Sequence, residues 1–236
     1  MACILHIETS GKACSVALSE SGELLYHKED MNGPHHASLL APLCDEALSF
    51  ADSHGIPLDA VSVSAGPGSY TGLRIGVSTA KGICYAREVP LLGIDTLRVL
   101  CVPSLLAEEI EEEALLCPMI DARRMEVYAT ILDRGLRTIR AVQADIVDAD
   151  TYTEWLEKHV VYFIGSGAEK CKSIIQHPHA RFITDREPLA KDMMPLAEMD
   201  FLRGHTKDVA YFEPFYLKAF EAVKSKNPLD RLAGKK

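Results

Sequence analysis

Residues 66–72 read GPGSYTG and separate two segments of different hydrophobic pattern. The segment before them, 60–64, is short and apolar, which predicts a buried strand. The segment after them, 71–85, predicts a helix. Three glycines around a proline supply unusual backbone angles and free N–H groups, so this turn can approach another molecule closely. A strand, a glycine-rich turn and a helix together form the building unit of an α/β protein.

The flanking segments extend this unit into an ordered series. Three short apolar or alternating runs, separated by Ser-Gly turns, predict an antiparallel meander at residues 4–7, 15–18 and 24–28. The other predicted elements of the first half are a helix, a strand and a helix, at 38–51, 90–94 and 95–106. Pro42 lies near the first turn of the earlier helix, and Asp95 or Thr96 caps the later one. The first half therefore has the order βββαβαβα.

The second half repeats this order. Its predicted elements lie at 114–120, 126–132, 137–142, 151–158, 160–164, 168–175, 181–184 and 189–203. The duplication indicates two copies of one layered α/β unit with a cleft between them, which is the organisation of the actin-like, sugar-kinase-like (ASKHA) fold. We expect an N-terminal lobe at 1–106, a C-terminal lobe at 107–217 and a basic tail at 218–236.

Charge limits the binding functions of the chain. Its 236 residues carry a formal net charge of −9, and because nucleic-acid binding depends on Lys and Arg neutralising phosphates, this charge argues against a protein that grips RNA alone. The tail at 218–236 is the exception, with six Lys/Arg against two Asp/Glu. A charged terminus of this kind is more typical of a solvated end than of an RNA clamp.

Cysteine usage and hydropathy indicate a compartment. The seven cysteines form an odd set without a Cys-x-x-Cys pair, which favours reduced thiols over disulfides or a zinc site. The N-terminus lacks the pattern of a signal peptide, and no run approaches the roughly 18 apolar residues of a membrane span. We expect a cytoplasmic protein with no membrane partner.

The glycine-rich turn matches no standard phosphate loop. It lacks the Lys-Ser or Lys-Thr of a Walker loop, and it lacks the spacing and acidic partner of a dinucleotide-binding turn. A structural turn is therefore favoured over a phosphate cradle.

The helix after the turn has an unusual face of small residues. Gly72, Gly76 and Ala80 recur at intervals of four, although each helical glycine costs about 1 kcal/mol relative to alanine. Small residues at this spacing let another backbone come close. Either the protein's own first helix or the helix of a partner compensates for the cost.

Three motifs resemble the TsaB (YeaZ) family over nearly the whole chain: GPGSYTGLRIG at 66–76, IDAR at 120–123 and EPFYL at 213–217. The resemblance implies a subunit of the bacterial complex that forms N6-threonylcarbamoyladenosine at position 37 of tRNA. In that family TsaB is an inactive relative of the transferase TsaD, which it stabilises as a heterodimer that the ATPase TsaE joins. Contact with tRNA is implied to be indirect, through the complex, and no cofactor is required.

The resemblance also implies where the partner binds. The family's interface is formed by the first two helices of the N-terminal lobe, which here are 38–51 and 71–85. The residues expected to contact the partner are Leu39, Leu43, Ala47, Ser69, Tyr70, Thr71, Gly72, Arg74, Gly76 and Ala80. A homodimer through the same helices is expected when the chain is isolated.

Metal and protease chemistry have no support in the sequence. A TsaD-like metal site needs His-x-x-x-His, two imidazoles one helical turn apart, but leucines stand four residues after His35 and His36. We interpret these histidines as helix-start residues and assign no metal ligand and no catalytic residue. The chain has no His-Glu-x-x-His, and neither Ser69 nor Ser166 lies in Gly-x-Ser-x-Gly, so protease activity is the weakest enzyme hypothesis.

A nucleotide in the cleft remains the alternative. The residues that could meet it are those of the first hairpin, Glu8, Thr9, Ser10 and Gly11, with Asp121, Gly165 and Gly167 from the second half. Glu8 stands where the family usually has Asp, which makes metal-mediated phosphate contact less secure. The rival function is therefore a stand-alone actin-like ATPase or small-molecule kinase, and ATP binding is left open.

Overall fold

Two five-stranded mixed sheets with the same topology form the frame of the molecule. The structure, a computed structural model, describes residues 2–33, 35–107 and 110–218. The strands are β1 (Cys3–Glu8), β2 (Cys14–Glu20), β3 (Glu23–Asp30), β4 (Ala60–Gly66), β5 (Leu91–Asp95), β6 (Leu115–Asp121), β7 (Glu126–Leu132), β8 (Thr138–Ile146), β9 (Val161–Ile164) and β10 (Ala180–Ile183). The helices are α1 (His36–Ser53), α2 (Tyr70–Arg87), α3 (Thr96–Leu106), α4 (Thr153–Leu156), α5 (Ser166–Cys171) and α6 (Met194–Leu202), with a 3-10 turn at Ala190–Met193.

Strand order confirms the predicted duplication. The first sheet runs β3-β2-β1-β4-β5 and the second runs β8-β7-β6-β9-β10, so each half places its own strands in the order 3-2-1-4-5. In each half the first three strands are antiparallel, and the fourth and fifth join in parallel. This is the two-lobed ASKHA-like α/β fold that the element order predicts.

The central strand β1 is buried on both faces, which decides where its polar residues lie. Leu5 and Ile7 pack in the core beneath α1 and α2. Ile4 packs on the opposite face, with residues of β5 and α6. Because side chains alternate along a strand, His6 and Glu8 share that opposite face with Ile4. Both polar side chains are fully buried.

The last helix of each half packs beside the other half. Cys101 of α3 shares a core cluster with Leu116 and Ile164 of the second sheet. Met193 and Ala197, at the end of the second half, pack against the first sheet. The two sheets lie within the predicted lobes 1–106 and 107–217, and these crossed helices join them. The predicted tail beyond Lys218 lies outside the described residues.

Several element boundaries differ from the predictions. Helix α1 begins at His36 instead of residue 38, so Pro42 lies in its second turn and not near its first. Proline removes the hydrogen bond to the carbonyl of Ser38, but both residues are exposed, so water can replace that bond. Helix α4 has only four residues, and α5 starts earlier than predicted. Asp95 caps α3 as expected, since its carboxylate accepts from the amides of Leu97 and Arg98.

The cysteine side chains lie in the interior of the protein. All seven cysteines are buried and unpaired. Burial raises the pKa of the Cys3, Cys14 and Cys84 thiols to about 11, so these thiols stay protonated near neutral pH. In the part of the chain that the structure describes, no helix combines the length and apolarity needed to cross a membrane.

A buried polar network stabilises the second lobe. The Asp145 carboxylate accepts from the Tyr152 hydroxyl at 2.7 Å and from the Arg140 guanidinium at 2.6 Å. Tyr152 is 1 % exposed, and the Arg140 guanidinium carbon lies 5.4 Å from the centre of its ring. The network therefore ties β8 to the segment before α4.

Replacing Tyr152 with phenylalanine is expected to lower the free energy of unfolding by about 2 kcal/mol, because it removes a hydrogen bond to a charged, buried acceptor. Urea denaturation measures the loss. Tyr128→Phe is the matched control: the hydroxyl of this half-buried tyrosine has no hydrogen-bond partner among the residues described. Equal effects of the two substitutions would contradict a stabilising role for the network.

Candidate functional site

The glycine-rich turn is fixed by the first hairpin of the protein. It connects β4 to α2, and the Ser69 amide donates to the Ser10 carbonyl at 2.7 Å. Ser69 is the N-cap of α2, where its hydroxyl accepts from the Gly72 amide at 3.3 Å. A Cβ atom on Gly68 would lie 2.6 Å from the Ser10 carbonyl oxygen, so only glycine permits this approach. The structural-turn interpretation therefore accounts for the loop.

The near-terminal motif packs against the same turn. The Phe215 amide donates to the Ala65 carbonyl at 2.7 Å. Gly66 has a φ of +100°, and a Cβ there would lie 2.6 Å from the Phe215 carbonyl oxygen. The Tyr216 ring lies 4.7 Å from the ring of Tyr70.

The third motif lies near the end of the near-terminal motif. Lys218 forms an ion pair with Glu126, at the start of β7 and next to the turn that follows Asp121. Residues 213–218 therefore contact segments that are far apart from them in the sequence. Only their shared match to one family could have indicated this meeting in advance.

The small-residue face of α2 is not available to a partner, which corrects a prediction. Gly72, Gly76 and Ala80 are all buried within the chain. A Cβ on Gly72 would lie 2.0 Å from the Thr9 carbonyl oxygen, and one on Gly76 would lie 2.3 Å from Thr9 Oγ1. The Thr9 hydroxyl donates to the Gly72 carbonyl at 2.8 Å. At Gly72 and Gly76 this face is occupied by Thr9, which directly follows β1, and not by another helix.

The other predicted partner contacts divide by exposure. Ala47 is fully buried in the core, so its assignment as a contact is also wrong. Leu39, Leu43 and Tyr70 are half-buried, whereas Ser69, Thr71 and Arg74 are exposed. The Arg74 guanidinium carbon lies 5.5 Å from the Tyr70 ring centre.

Exposed residues remain on both long helices. Arg87 of α2 makes a bidentate ion pair with Asp52 of α1, at 3.1 and 2.7 Å, which holds the helix ends side by side. We define the α1–α2 surface by its exposed residues Ala41, Asp45 and Ser49 of α1 and Thr71, Arg74, Ser78 and Tyr85 of α2. Ser78 and Tyr85 are residues that the sequence reasoning missed. Tyr85 is 84 % exposed, which is unusual for a large aromatic side chain.

The first hairpin holds a fully buried carboxyl group. Glu8 Oε1 accepts from the Ser10 amide at 2.5 Å. Glu8 Oε2 and Ser10 Oγ have no hydrogen-bond partner among the described residues. Burial raises the pKa of Glu8 to about 7, which favours its neutral form. Thr9 instead directs its hydroxyl to α2.

The second-lobe residues predicted for a nucleotide have structural partners. Asp121 is paired with Lys170 at 2.5 Å. A Cβ on Gly165 would lie 2.8 Å from the Met119 carbonyl oxygen, and a Cβ on Gly167 would lie 2.8 Å from Met119 Cβ. Close packing of α5 on β6 thus accounts for both glycines. Nucleotide binding at these residues stays a prediction.

The two histidines lie at the start of α1, as predicted. His35 is the N-cap and His36 the first helical residue. Leu40, four residues after His36, is buried in the core, where an active relative would need its second imidazole. Within residues 2–33, 35–107 and 110–218, no three His, Cys, Asp or Glu side chains are grouped to hold a metal ion.

Comparison with known proteins identifies the family. Residues 30–225 match the family model described as TsaD: tRNA N6-adenosine threonylcarbamoyltransferase. The tRNA threonylcarbamoyladenosine biosynthesis protein TsaB of Escherichia coli is 29% identical, over 91% of this chain and 94% of that protein. The protein of the same name from Haemophilus influenzae is 26% identical, over 91% and 93%.

Solved structures agree with the sequence comparison. YeaZ from Pseudomonas aeruginosa superimposes with a TM-score of 0.72 at 25% identity, covering 92% of this chain and all of that one (100%). A second Pseudomonas aeruginosa structure, of a protein with similarity to peptidase YEAZ, gives a TM-score of 0.77 at 26% identity with the same coverage. The family model, the full-length relatives and the shared fold together show that the chain belongs to the TsaD-type family and, within it, to the TsaB (YeaZ) proteins.

Proposed function

We propose that this protein takes part in the biosynthesis of threonylcarbamoyladenosine in tRNA as a non-catalytic subunit that binds and stabilises a TsaD-like transferase. The names of its full-length relatives support the pathway. The observation that carries the non-catalytic role is Leu40, a core residue with 1 % exposure where a metal-binding relative needs a ligand. Helix α1 therefore places a core side chain at the position where such a relative carries a metal ligand.

The α1–α2 surface is the proposed binding site for the transferase. Both helices have 18 residues and their ends are held together by the ion pair of Arg87 with Asp52. Tyr85 supplies a large exposed aromatic, a residue type enriched at interface hot spots. A rigid pair of helices also costs little ordering entropy on binding.

Charge supports an indirect role towards tRNA. The formal net charge of −9 disfavours direct binding of a polyanion. The transferase subunit therefore supplies the RNA contacts in this proposal. A TsaE-like ATPase joins the pair as the third component.

Ser78→Arg tests the proposed interface. A large charged side chain at an exposed serine in the middle of the surface should be buried unpaired on binding, so we expect at least a tenfold loss of affinity for the TsaD-like subunit. Co-purification and calorimetry with that subunit measure the loss. Ser173→Arg, the same change at an exposed residue of the second lobe, is the matched control. Undiminished binding by the Ser78 variant would remove the α1–α2 surface from the proposal.

Self-association uses the same surface in this proposal. Light scattering of the isolated chain should detect a dimer that the Ser78 variant weakens and the Ser173 variant does not. A dimer unaffected by Ser78→Arg would place self-association elsewhere on the molecule.

The second candidate function is a stand-alone ATPase or small-molecule kinase. It is favoured by the buried oxygens of Glu8 and Ser10 that have no partner among the described residues. Calorimetry with magnesium and ATP tests it. Micromolar binding with turnover, lost on changing Glu8 or Asp121, would replace the scaffold role by this activity.

A further inference from the structure

The turn between β6 and β7, at residues 122–125, holds two consecutive arginines in a backbone conformation that other residues prefer. Arg123 has a φ of +74° and Arg124 a φ of +52°. A side chain with a Cβ atom is disfavoured in this region, so hairpin turns that need it are usually built from Asn and Gly. Arginine at both places therefore indicates that these side chains have a use beyond forming the turn.

Lys170 of α5 holds the backbone of this arginine turn in place. Its ammonium donates to Asp121 Oδ1 at 2.5 Å, to the Arg124 carbonyl at 2.8 Å and to the Glu126 carbonyl at 2.6 Å. Asp121 Oδ1 also accepts from the Arg123 amide at 2.7 Å. The arginine turn is therefore fixed before any ligand arrives, which lowers the entropy that binding costs.

Both guanidinium groups lack an acidic partner in the part of the chain that the structure describes. Arg123 and Arg124 are exposed, and neither forms an ion pair there. The acidic side chains on either side of the turn are already paired, Asp121 with Lys170 and Glu126 with Lys218. An anion that binds the two arginines therefore has to come from another molecule.

Positive charge is concentrated around the arginine turn, although the chain as a whole carries −9. Lys218 lies beside the turn through its ion pair with Glu126, and the sequence that follows, 219–236, has five Lys/Arg against two Asp/Glu. A local basic region of this kind is typical of a contact with a nucleic-acid backbone. Because such a backbone repeats its phosphates, it offers an acceptor to each of several neighbouring cations, which a single carboxylate of a protein does not.

We propose that the arginine turn contacts the phosphate backbone of tRNA within the complex with the TsaD-like transferase. Arginine binds phosphate oxygens through two parallel N–H groups, and such contacts position a nucleic acid without reading its sequence. The inference rests on the proposed function, because a net charge of −9 disfavours tRNA binding by this chain alone. The transferase brings the tRNA, and Arg123 and Arg124 add to the contacts that it makes.

The double variant Arg123→Gln, Arg124→Gln tests this contact in the complete complex. Fluorescence anisotropy of a labelled tRNA transcript, titrated with the complex between about 50 and 200 mM salt, measures the affinity. Two lost phosphate contacts should weaken binding about tenfold and lower the slope of log affinity against log salt by about 2. The matched control is Arg134→Gln, Arg203→Gln, which removes the same charge from exposed arginines without an ion pair among the described residues. Arg134 lies at the opposite end of β7.

Arg124→Gly separates the contact from a purely structural role. Glycine removes the guanidinium and also suits the positive φ, so the thermal midpoint should not fall while the affinity for tRNA drops about threefold. A lower midpoint with unchanged affinity would show that the arginine serves the fold, and would overturn the proposal.

Calorimetry with the TsaD-like subunit, without tRNA, distinguishes this inference from the proposed function. If the unchanged protein does not bind that subunit, the proposed function itself is wrong. If the glutamine double variant binds the subunit normally, then unchanged tRNA affinity, or equal weakening by the control, overturns the arginine contact alone. Weaker binding of the subunit by the double variant would assign the arginines to an acidic surface of that protein, which also overturns the contact with tRNA.

Discussion

Replacing Gly72 with alanine should lower the free energy of unfolding by about 3 kcal/mol, whereas Gly82→Ala in the same helix should raise it by about 1 kcal/mol. The new Cβ at residue 72 would lie 2.0 Å from the Thr9 carbonyl oxygen, and backbone atoms cannot move aside without disturbing β1. At Gly82 no atom lies within 4 Å of the new Cβ, so only the gain in helix propensity remains. The two variants carry the same substitution in the same helix, yet their expected changes in the free energy of unfolding have opposite signs.

Thermal and urea denaturation check this pair. For a chain of this size we expect the midpoint of Gly72→Ala to fall by about 6–12 °C. The midpoint of Gly76→Ala should lie between those of the two variants. Its new Cβ would lie 2.3 Å from the Thr9 hydroxyl oxygen, and a hydroxyl group can rotate away. Wild-type stability of Gly72→Ala would show that β1 and α2 are not in contact as described.

Glu8→Gln is expected to stabilise the protein above neutral pH by about 3 kcal/mol and to have little effect near pH 4.5. Burial raises the pKa of Glu8 to about 7, from 4.5 for an ordinary glutamate. Between these values only the unfolded chain loses its proton, so wild-type stability falls as pH rises through this window and then stays level. Glutamine is neutral throughout and can still accept from the Ser10 amide at Oε1.

The stability difference between the two proteins, measured by urea denaturation from pH 4.5 to 8, isolates this effect. His6 acts in the opposite direction, since burial lowers its pKa to about 3 and stability rises with pH up to about 6.5. Its hydrogen bonds to Ser62 and Ser19 do not involve residue 8, so we expect its contribution to cancel in the difference. A difference that does not change with pH would contradict the ionisation of a buried Glu8.

Order and pattern along the chain predicted most of the architecture. The repeated βββαβαβα series led to the two-lobed fold, and the same strand order in both sheets confirms it. Helix capping could also be predicted from the sequence, as at Asp95, whose carboxylate caps α3. These features depend on residues close in sequence, whose periodicity and hydrogen-bonding groups act locally.

Contacts between segments that are far apart in the sequence could not be predicted from the hydrophobic pattern. The spacing of Gly72, Gly76 and Ala80 placed them on one helix face, but did not indicate that Thr9 packs against the two glycines. Gly165 and Gly167 resembled a ligand loop, yet Met119 occupies the space beside them. A small residue in the sequence indicates that another group packs closely against it, but does not indicate which group.

The sequence by itself determined the fold, the family and the two helices proposed for the partner. Tertiary structure alone decided which sides of those helices remain exposed, and it placed Thr9 against Gly72 and Gly76 of α2. The physical reason is that periodicity records which residues share a face, whereas burial depends on the neighbour that chain folding brings to that face.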